Sequence, residues 1–458
     1  MTDGKSGQTP TPAELIDWVR DARQRTFDLV ADLSEDQLIV PHLATVNPWL
    51  WEIGHVAWFQ EKWLLRRSAT TPLIRPDADA LYDSAAVHHD TRWRLPLPGR
   101  EETVRYMTHV RDRVVECLLR PHLSPEDIYF TLLTVFHEDM HTEAFTYTRQ
   151  TLGYAAPRLG VASSSNNDAG KEEMRDRSLS ASQPVARSSL GDAAIPEGIF
   201  ELGAAADEPF VFDNEKWAHR VEIRPFAIGR APLTQAEFVA FVEDGGYRDA
   251  RWWSEAGWRW RAEATAAHPV YWRREGAGKW WRRHFDQWRP LEPDYPVVHV
   301  NWHEAEAYCR WAGRRLPTES EWEAAAAVMP NAGGPGLDRG KRRFPWGAER
   351  PSGRHANLDW HAMGCVNVDG FPDGDSACGC RQMIGNVWEW TASDFLPYPG
   401  FVADPYKEYS APWFGTHKVL RGGCWATRAR LLRNTWRNFY RPERRDVWAG
   451  FRTCALRA

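Results

Sequence analysis

Apolar residues in the first third of the chain recur every three to four positions, which predicts amphipathic helices. The longest follows Ser124 and Pro125, a favoured N-cap and first helical residue, and ends near Gly153. The other three begin near Thr11, Pro48 and Glu101. Residues 72–99 have no such pattern and are predicted to form a loop. Four long helices with short connections predict a four-helix bundle over residues 8–156, a fold that commonly builds metal sites in its core.

The hydrophobic pattern changes after the bundle. Residues 157–194 are rich in Ser, Ala, Asn and charged side chains, which is typical of a flexible linker or a surface loop. From 195 to 457 the chain is rich in Trp, Gly and Pro. It contains short alternating segments such as 221–223, and helical stretches at 234–243 and 303–313. This pattern predicts a compact second domain, so the whole chain is predicted to be α+β.

Composition narrows the classes of function. The 458 residues carry a formal net charge of −5, which gives no indication of a nucleic-acid partner. No run of 18 apolar residues is present, so no membrane span is predicted. The N-terminus is polar, and the 7 cysteines are odd in number and scattered, which favours a cytoplasmic protein with reduced thiols. The 26 tryptophans favour broad aromatic packing.

Two histidines of the longest predicted helix stand out. His137 and His141 are four residues apart and fall in the apolar stripe, so both rings point to one buried face. Each ring alone could be a satisfied core residue, but a shared metal would satisfy both at once. His137-Glu138-x-x-His141 also fits the His-Glu-x-x-His pattern of zinc hydrolases, in which Glu138 would be the general base. The spacing therefore leaves the identity of the metal open.

Several phrases of the second half occur together and in order. They are Pro296-Val297-Val298-His299-Val300-Asn301-Trp302, Arg315-Leu316-Pro317-Thr318-Glu319, Gly385-Asn386-Val387-Trp388-Glu389-Trp390, Arg421-Gly422-Gly423-Cys424-Trp425 and Gly450-Phe451-Arg452. This set resembles the formylglycine-generating-enzyme (sulfatase-modifying-factor) domain, which has a C-type-lectin-like fold, over 195–457. The first half looks like a DinB-type bundle. The pairing resembles the ergothioneine-type sulfoxide synthases and the related selenoneine synthases.

That resemblance implies a non-haem Fe(II) site and O₂ as co-substrate. In the family, a His-x-x-x-His-x-Glu motif and an upstream helical histidine bind the iron. His137 and His141 match the motif, and His55 in Trp51-Glu52-Ile53-Gly54-His55 matches the upstream ligand. Three neutral imidazoles suit Fe(II) and leave positions open for other ligands. Glu143 cannot share the face of His141, so we predict that it supports the ligands without binding the metal.

The resemblance also implies the substrates. The family joins a chalcogen donor to C2 of the imidazole of hercynine, Nα-trimethylhistidine. Asn438 and Phe439 occupy the place of the family's hercynine-binding motif, and an aromatic face suits a trimethylammonium group. The family uses a tyrosine as proton donor, for which the candidates are Tyr406, Tyr409 and Tyr398.

Departures from the family pattern concern the chalcogen donor. Enzymes of the mycobacterial type bind γ-glutamylcysteine with two arginines and an acid. Here His89 replaces the first arginine, Arg92 keeps the second, and Tyr440 replaces the acid. Met140 stands where some relatives place a glutamine facing the hercynine imidazole. Loss of the first arginine and of the acid favours a neutral, hydroxyl-rich selenosugar, with γ-glutamylcysteine or cysteine as the alternative donor.

Three other functions compete. A formylglycine-generating protein oxidase would need a copper-binding cysteine pair, for which Cys454 and Cys424 are the only candidates near the C-terminus. A lectin-like module without catalytic activity would leave the three histidines unexplained. A zinc hydrolase would need Glu138 to face the metal.

Overall fold

Four long helices of the first half pack around one apolar core, in agreement with the predicted bundle. A computed structural model describes residues 9–67, 71–159, 190–276, 278–331 and 336–457. The helices of this half are α1 (Pro12–Val30), α2 (Glu35–Leu38), α3 (Trp49–Gln60), α4 (Ala78–Tyr82), α5 (Arg100–Leu118) and α6 (Pro125–Leu152). Helix α1 contacts α5 and α6, and α3 contacts the same two helices. Helices α1, α3, α5 and α6 are therefore the four helices of the bundle.

Helix α6 begins and ends at the residues that the sequence predicts. The Ser124 hydroxyl accepts a hydrogen bond from the Asp127 backbone N–H at 3.1 Å, and the Asp127 carboxylate accepts one from the Ser124 N–H at 2.9 Å. This capping box pairs two backbone donors that the helix itself leaves free. Gly153 ends the helix with φ of 69°, a left-handed conformation that glycine adopts without steric cost.

The segment predicted as a loop, 72–99, contains regular structure. It includes α4 and a 3₁₀ turn at His89–Arg94. Leu81 and Tyr82 of α4 are buried, and the Trp51 indole N–H donates to the Leu81 carbonyl at 2.7 Å. Helices of five and six residues are too short to give a periodic pattern, so the prediction of a loop was wrong here.

The second half contains helices α7 (Gln235–Glu243), α8 (Glu255–Glu263), α9 (Trp302–Trp311) and α10 (Glu319–Ala327). The sequence predicted α7 and α9 but not α8 or α10. Its strands are β1 (Asp192–Ile195), β2 (Gly198–Leu202), β3 (His219–Ile223), β4 (Phe226–Gly229), β5 (Trp272–Glu275), β6 (Lys279–His284), β7 (Gln287–Pro290), β8 (Arg314–Arg315), β9 (Val328–Pro330), β10 (Leu337–Lys341), β11 (Trp388–Asp394), β12 (Lys418–Arg421), β13 (Asn438–Tyr440), β14 (Ala449–Gly450) and β15 (Cys454–Ala455). The mixture of helices and sheets confirms the predicted α+β class.

The strands form small sheets. Two have four strands, in the orders β1-β4-β15-β8 and β13-β12-β11-β14, and only the β11–β14 pair within them is parallel. Strand β1 lies inside the segment predicted as a linker, so regular structure begins three residues earlier than expected. Of the rest of that linker, residues 160–189 lie outside the described residues. Within the described part of the chain, no helix is long and apolar enough to cross a bilayer.

One face of α6 docks on the second domain through buried polar contacts. Asp139 accepts two hydrogen bonds from the Arg430 guanidinium, both at 2.7 Å. Further along the same face, Thr146 accepts from the Trp448 indole at 2.9 Å, and Gln150 accepts from the Phe285 backbone N–H at 2.5 Å. Together with Glu143, which also contacts the second domain, these positions are three or four residues apart, so they form one helical stripe. We call this stripe of Asp139, Glu143, Thr146 and Gln150 the docking stripe.

Candidate metal centre and its surroundings

Three imidazoles from two helices converge in the bundle. His55 lies in the middle of α3, and His137 and His141 lie one turn apart on α6. The ring centroids are 5.1 Å apart for His55 and His137, 5.2 Å for His55 and His141, and 4.6 Å for His137 and His141. One ring nitrogen from each residue lies within 4.8 Å of the others. Three nitrogen ligands on one side leave room for further ligands around a single ion.

Hydrogen bonds fix the tautomers of two of these rings. The Nδ1 atom of His55 lies 2.8 Å from the Tyr82 carbonyl oxygen, and Nδ1 of His141 lies 2.8 Å from Oε1 of Glu52. Both partners are acceptors, so each Nδ1 carries the hydrogen and each Nε2 keeps its lone pair free for a metal. Glu52 and Tyr82 were missed in the sequence analysis. A carboxylate three residues before a helical ligand was the available signal for Glu52.

Burial keeps two of these histidines, His55 and His137, neutral. It lowers the pKa of His55 and of His137 well below the ordinary value for histidine, and the neighbouring imidazoles lower both further. The His137 ring stacks on Phe59 with centroids 3.6 Å apart, and its Nδ1 has no hydrogen-bond partner among the described residues. A neutral imidazole with a free lone pair is a good ligand for Fe(II), Zn(II) or Cu(II). The donor set therefore fits a divalent transition metal.

Glu138 does not face the three histidines. Its carboxylate is buried and accepts hydrogen bonds from the Arg23 guanidinium at 2.8 and 3.1 Å and from the Thr26 hydroxyl at 2.8 Å. A general base must reach the metal-bound reactant, and this carboxylate is engaged on another face of α6. The His-Glu-x-x-His pattern is thus a coincidence of spacing, and the geometry does not support a zinc hydrolase.

Glu143 corrects one expectation from the sequence. Its carboxylate accepts from the Trp388 indole N–H at 2.7 Å and from the Thr427 hydroxyl at 2.5 Å. Both partners belong to the second domain, so Glu143 contributes to the docking stripe and makes no hydrogen bond to the three histidines among the described contacts. Two residues along a helix correspond to a rotation of about 200°, which turns Glu143 away from the face of His141.

Two of the predicted tyrosines lie against the ligand helices. The Tyr406 ring centroid is 4.9 Å from that of Phe59 and 6.1 Å from that of His137. The Tyr409 hydroxyl lies 3.5 Å from Sδ of Met140, which immediately precedes His141. Burial raises the pKa of both phenols, so both are protonated at neutral pH. Residues of the second domain thus form one wall beside the histidines.

Tyr398 lies elsewhere, and this prediction was wrong. Its hydroxyl donates to Glu319 at 3.2 Å, and the Arg437 guanidinium lies over its ring at 4.1 Å. Tyr398 packs in a separate hydrophobic cluster, with Phe200 and Trp322. Arg437, which precedes Asn438, donates two hydrogen bonds to Glu319 and so stabilises the second domain from within.

Strand β13 carries the residues that the sequence assigns to hercynine. The Arg444 guanidinium lies over the ring of Tyr440 at 5.1 Å and over that of Tyr147 of α6 at 5.8 Å, so the two phenols are neighbours. Met140 and Tyr147 are two turns apart on one face of α6, so this face meets both Tyr409 and Tyr440. Phe439 stacks on Phe395 with centroids 4.0 Å apart. Asn438 and Tyr440 therefore lie at the interface with the bundle.

Arg92 is linked to a candidate ligand through a short chain of polar groups. Its guanidinium donates to the Asn47 amide oxygen at 2.7 Å, the Asn47 amide lies 3.4 Å from Glu52, and Glu52 holds His141. The Arg92 guanidinium also covers the Trp51 ring at 3.7 Å, and Trp51 stacks on His55. Burial without a carboxylate partner at hydrogen-bond distance lowers the pKa of Arg92 to about 10. The guanidinium donates to the Asn47 side chain and to the Val87 carbonyl, and it has no carboxylate partner among the described contacts.

His89 is committed to protein partners. One ring nitrogen lies 2.8 Å from the Val46 carbonyl and the other 3.2 Å from the Asp90 carboxylate. It would have to give up one of these contacts to bind a chalcogen donor.

Cys424 and Cys454 are both buried, and they belong to different hydrophobic clusters. They do not form the cysteine pair that a copper-dependent oxidase would need.

Comparison with known proteins supplies relatives for both halves. Residues 178–457 match the sulfatase-modifying factor enzyme 1-like domain, and residues 18–144 match the DinB superfamily. The chain is 39% identical to hercynine oxygenase of Mycolicibacterium thermoresistibile, covering 97% of this chain and 95% of the relative. It is 37% identical to hercynine oxygenase of Mycobacterium tuberculosis, covering 96% and 98%. The formylglycine-generating enzyme of Streptomyces coelicolor is 34% identical over 57% of this chain and 85% of that protein.

Proposed function

This chain belongs to the family of ergothioneine-type sulfoxide synthases, and from that premise we propose that it is a non-haem Fe(II)- and O₂-dependent enzyme acting on hercynine. We propose that it joins a selenosugar to C2 of the hercynine imidazole and forms a selenoxide. The observation that carries the proposal is the convergence of His55, His137 and His141 beside a wall of protonated tyrosines from the other domain.

The residues around the proposed iron have distinct tasks. A ferrous ion held by three imidazoles would supply the redox chemistry that allows O₂ to react with a selenol or thiol. Tyr82 and Glu52 keep the lone pairs of two ligands directed at that ion. The raised pKa of Tyr406 and of Tyr409 keeps a phenolic proton in place, so either can donate it to a substrate atom.

Hercynine carries a trimethylammonium group, a carboxylate and an imidazole. Aromatic faces attract a quaternary ammonium group, and Tyr409 and Phe439 lie together with centroids 5.7 Å apart. Asn438 offers an amide at the same interface. We therefore propose that hercynine lies between Met140 of α6 and the β13 segment, with its imidazole toward the three histidines.

The proposed donor follows from the charges near the site. A γ-glutamylcysteine donor has two carboxylates and one ammonium group. Arg92 offers one guanidinium, while His89 and Tyr440 stand where the family pattern has an arginine and an acid. Each lost charge-assisted hydrogen bond costs about 1.5–3 kcal/mol, or roughly one to two decades of affinity. A selenosugar is neutral apart from its selenol and can be bound through hydroxyl groups and water.

The test of the donor is a competition assay. We expect that selenoglucose, thioglucose, cysteine and γ-glutamylcysteine, offered together at equal concentration with hercynine, Fe(II) and O₂, yield mainly the selenosugar product. Product masses and initial rates measure the preference. The double variant His89→Arg/Tyr440→Asp restores the missing charges. It should shift the preference toward γ-glutamylcysteine by about tenfold or more, which is the effect expected from a single restored charge-assisted hydrogen bond. Preference of the unchanged protein for γ-glutamylcysteine would refute the selenosugar assignment and leave the hercynine assignment intact.

Glu52 provides a separate test of the proposed iron site. We expect Glu52→Ala to weaken Fe(II) binding by about 10- to 100-fold, because loss of a carboxylate that orients a histidine ligand has effects of that size. Glu52→Gln keeps an acceptor for the His141 Nδ1–H and should restore most of the affinity. Competition with a chromogenic chelator under anaerobic conditions measures the binding. Glu102→Ala, an exposed carboxylate of α5, is the matched control, and equal iron affinities in all variants would contradict the role of Glu52.

A further inference from the structure

A second group of metal-ligating side chains lies on the surface of the bundle domain. His42, His89 and Asp90 each offer one ligand atom, and these atoms lie within 4.8 Å of one another. Nε2 of His42 and Nδ1 of His89 are both 3.2 Å from Oδ1 of Asp90. We propose that these three side chains bind one divalent cation of the Zn(II) type, at a site separate from His55, His137 and His141.

The hydrogen bonding of His89 points to a cation. Its Nε2 lies 2.8 Å from the Val46 carbonyl oxygen, which only accepts, so Nε2 carries the hydrogen. In the neutral ring, Nδ1 then has a lone pair, and this lone pair faces the Asp90 carboxylate at 3.2 Å. Two acceptors at this distance repel each other unless a proton or a metal ion lies between them. A metal ion would satisfy His42, His89 and Asp90 together.

Packing holds the two imidazoles in place. The Trp93 ring lies 4.5 Å from the His42 ring and 5.0 Å from the His89 ring, measured between centroids. Its indole N–H donates to the Val40 carbonyl at 2.9 Å. The 3₁₀ turn of residues 89–94 is therefore tied to the segment 40–46 at two points, Val40 and Val46. Ligands on both segments are pre-positioned, which reduces the entropy that must be lost on metal binding.

The ligand set indicates which ions fit. Two imidazoles and a carboxylate, completed by water, are typical of Zn(II), whereas Mg(II) and Ca(II) prefer oxygen ligands. The side chains of His42 and Asp90 are 54% and 80% exposed, so water and ions reach the site freely. A bound ion would link the 89–94 turn to residues 40–46 more firmly. The turn also carries Arg92, which covers Trp51 beside His55.

Zinc titration of tag-free, Fe(II)-loaded protein tests the proposal. We expect isothermal titration calorimetry under anaerobic conditions to show one equivalent of Zn(II) bound in addition to the iron, with no iron released. His42→Ala and Asp90→Asn should each weaken this binding at least tenfold. His88→Ala removes an exposed imidazole next to the group but outside it, and should leave the binding unchanged. The His137→Ala variant should keep the surface equivalent, which distinguishes the two sites.

The thermal midpoint gives a second readout. Added Zn(II) should raise the midpoint of the unchanged protein, because a ligand that binds only the folded state stabilises it, and should raise that of His42→Ala much less. Absence of an additional equivalent in the unchanged protein would overturn the proposal. Full binding by both His42→Ala and Asp90→Asn would do the same.

Discussion

Replacement of His137 by alanine is expected to abolish iron binding and activity while the protein remains folded. The variant keeps two of three proposed ligands, and His137 sits between His55 and Phe59 in the described structure. We expect the iron content to fall from about one equivalent to near zero, and the turnover of hercynine to fall more than 100-fold. Loss of a group that only orients a ligand can lower metal affinity by up to about 100-fold, and loss of the ligand itself should cost more. Metal analysis of anaerobically purified protein and product formation measure the two effects.

The matched control for this variant is His109→Ala. His109 is an exposed histidine of α5, so its replacement tests the effect of removing an imidazole from the bundle as such. Circular dichroism should show the same helix content in both variants and in the unchanged protein. Full iron occupancy in His137→Ala would refute the proposed ligand set, whatever the activity.

Replacement of Arg23 by methionine is expected to lower the free energy of unfolding by about 3–5 kcal/mol. Removal of one partner from a buried ion pair leaves the other charge without compensation, and losses of this size are typical. Arg23 is fully buried, donates to Glu138 and also donates to Gln60 at 3.2 Å. In the variant, Glu138 would keep only the hydroxyl of Thr26. Urea unfolding followed by circular dichroism at 222 nm measures the change.

Arg105→Met provides the comparison at the surface. Arg105 pairs with Glu101 one turn away on α5, and the two side chains are 66% and 88% exposed. Exposed pairs of this kind contribute about 0.3–0.5 kcal/mol, so this variant should unfold near the midpoint of the unchanged protein. Equal midpoints for the Arg23 and Arg105 variants would show that the buried pair adds no more stability than the exposed one.

The features that were predictable from the sequence are those with a local signal. Helix α6 could be predicted from end to end because its cap, its apolar period and its terminal glycine lie in one continuous segment. The same period brought His137 and His141 to one face, and the motif of a known family added His55. The two-domain α+β architecture followed from a change in hydrophobic period near the middle of the chain.

The rest depended on partners that are distant along the chain. Glu143 meets Trp388 and Thr427, more than two hundred residues away, so a helical wheel could exclude it from one face but could not say what it contacts. Tyr398 and Tyr409 are only eleven residues apart, yet they belong to different hydrophobic clusters. Glu52 is the exception, because its spacing of three residues from His55 on one helix is a local signal.

The docking stripe of α6 has a consequence for the order of assembly during synthesis. All three proposed ligands belong to the bundle, which leaves the ribosome first, and domains generally fold in that order. Metal capture therefore requires no residue of the second domain. The later domain docks on α6 on the side opposite the proposed ligands, and its docking positions the tyrosines and β13 relative to them. Under the proposed assignment, a newly made chain would take up its metal before it can bind hercynine, so the substrate would meet only a complete reactive centre.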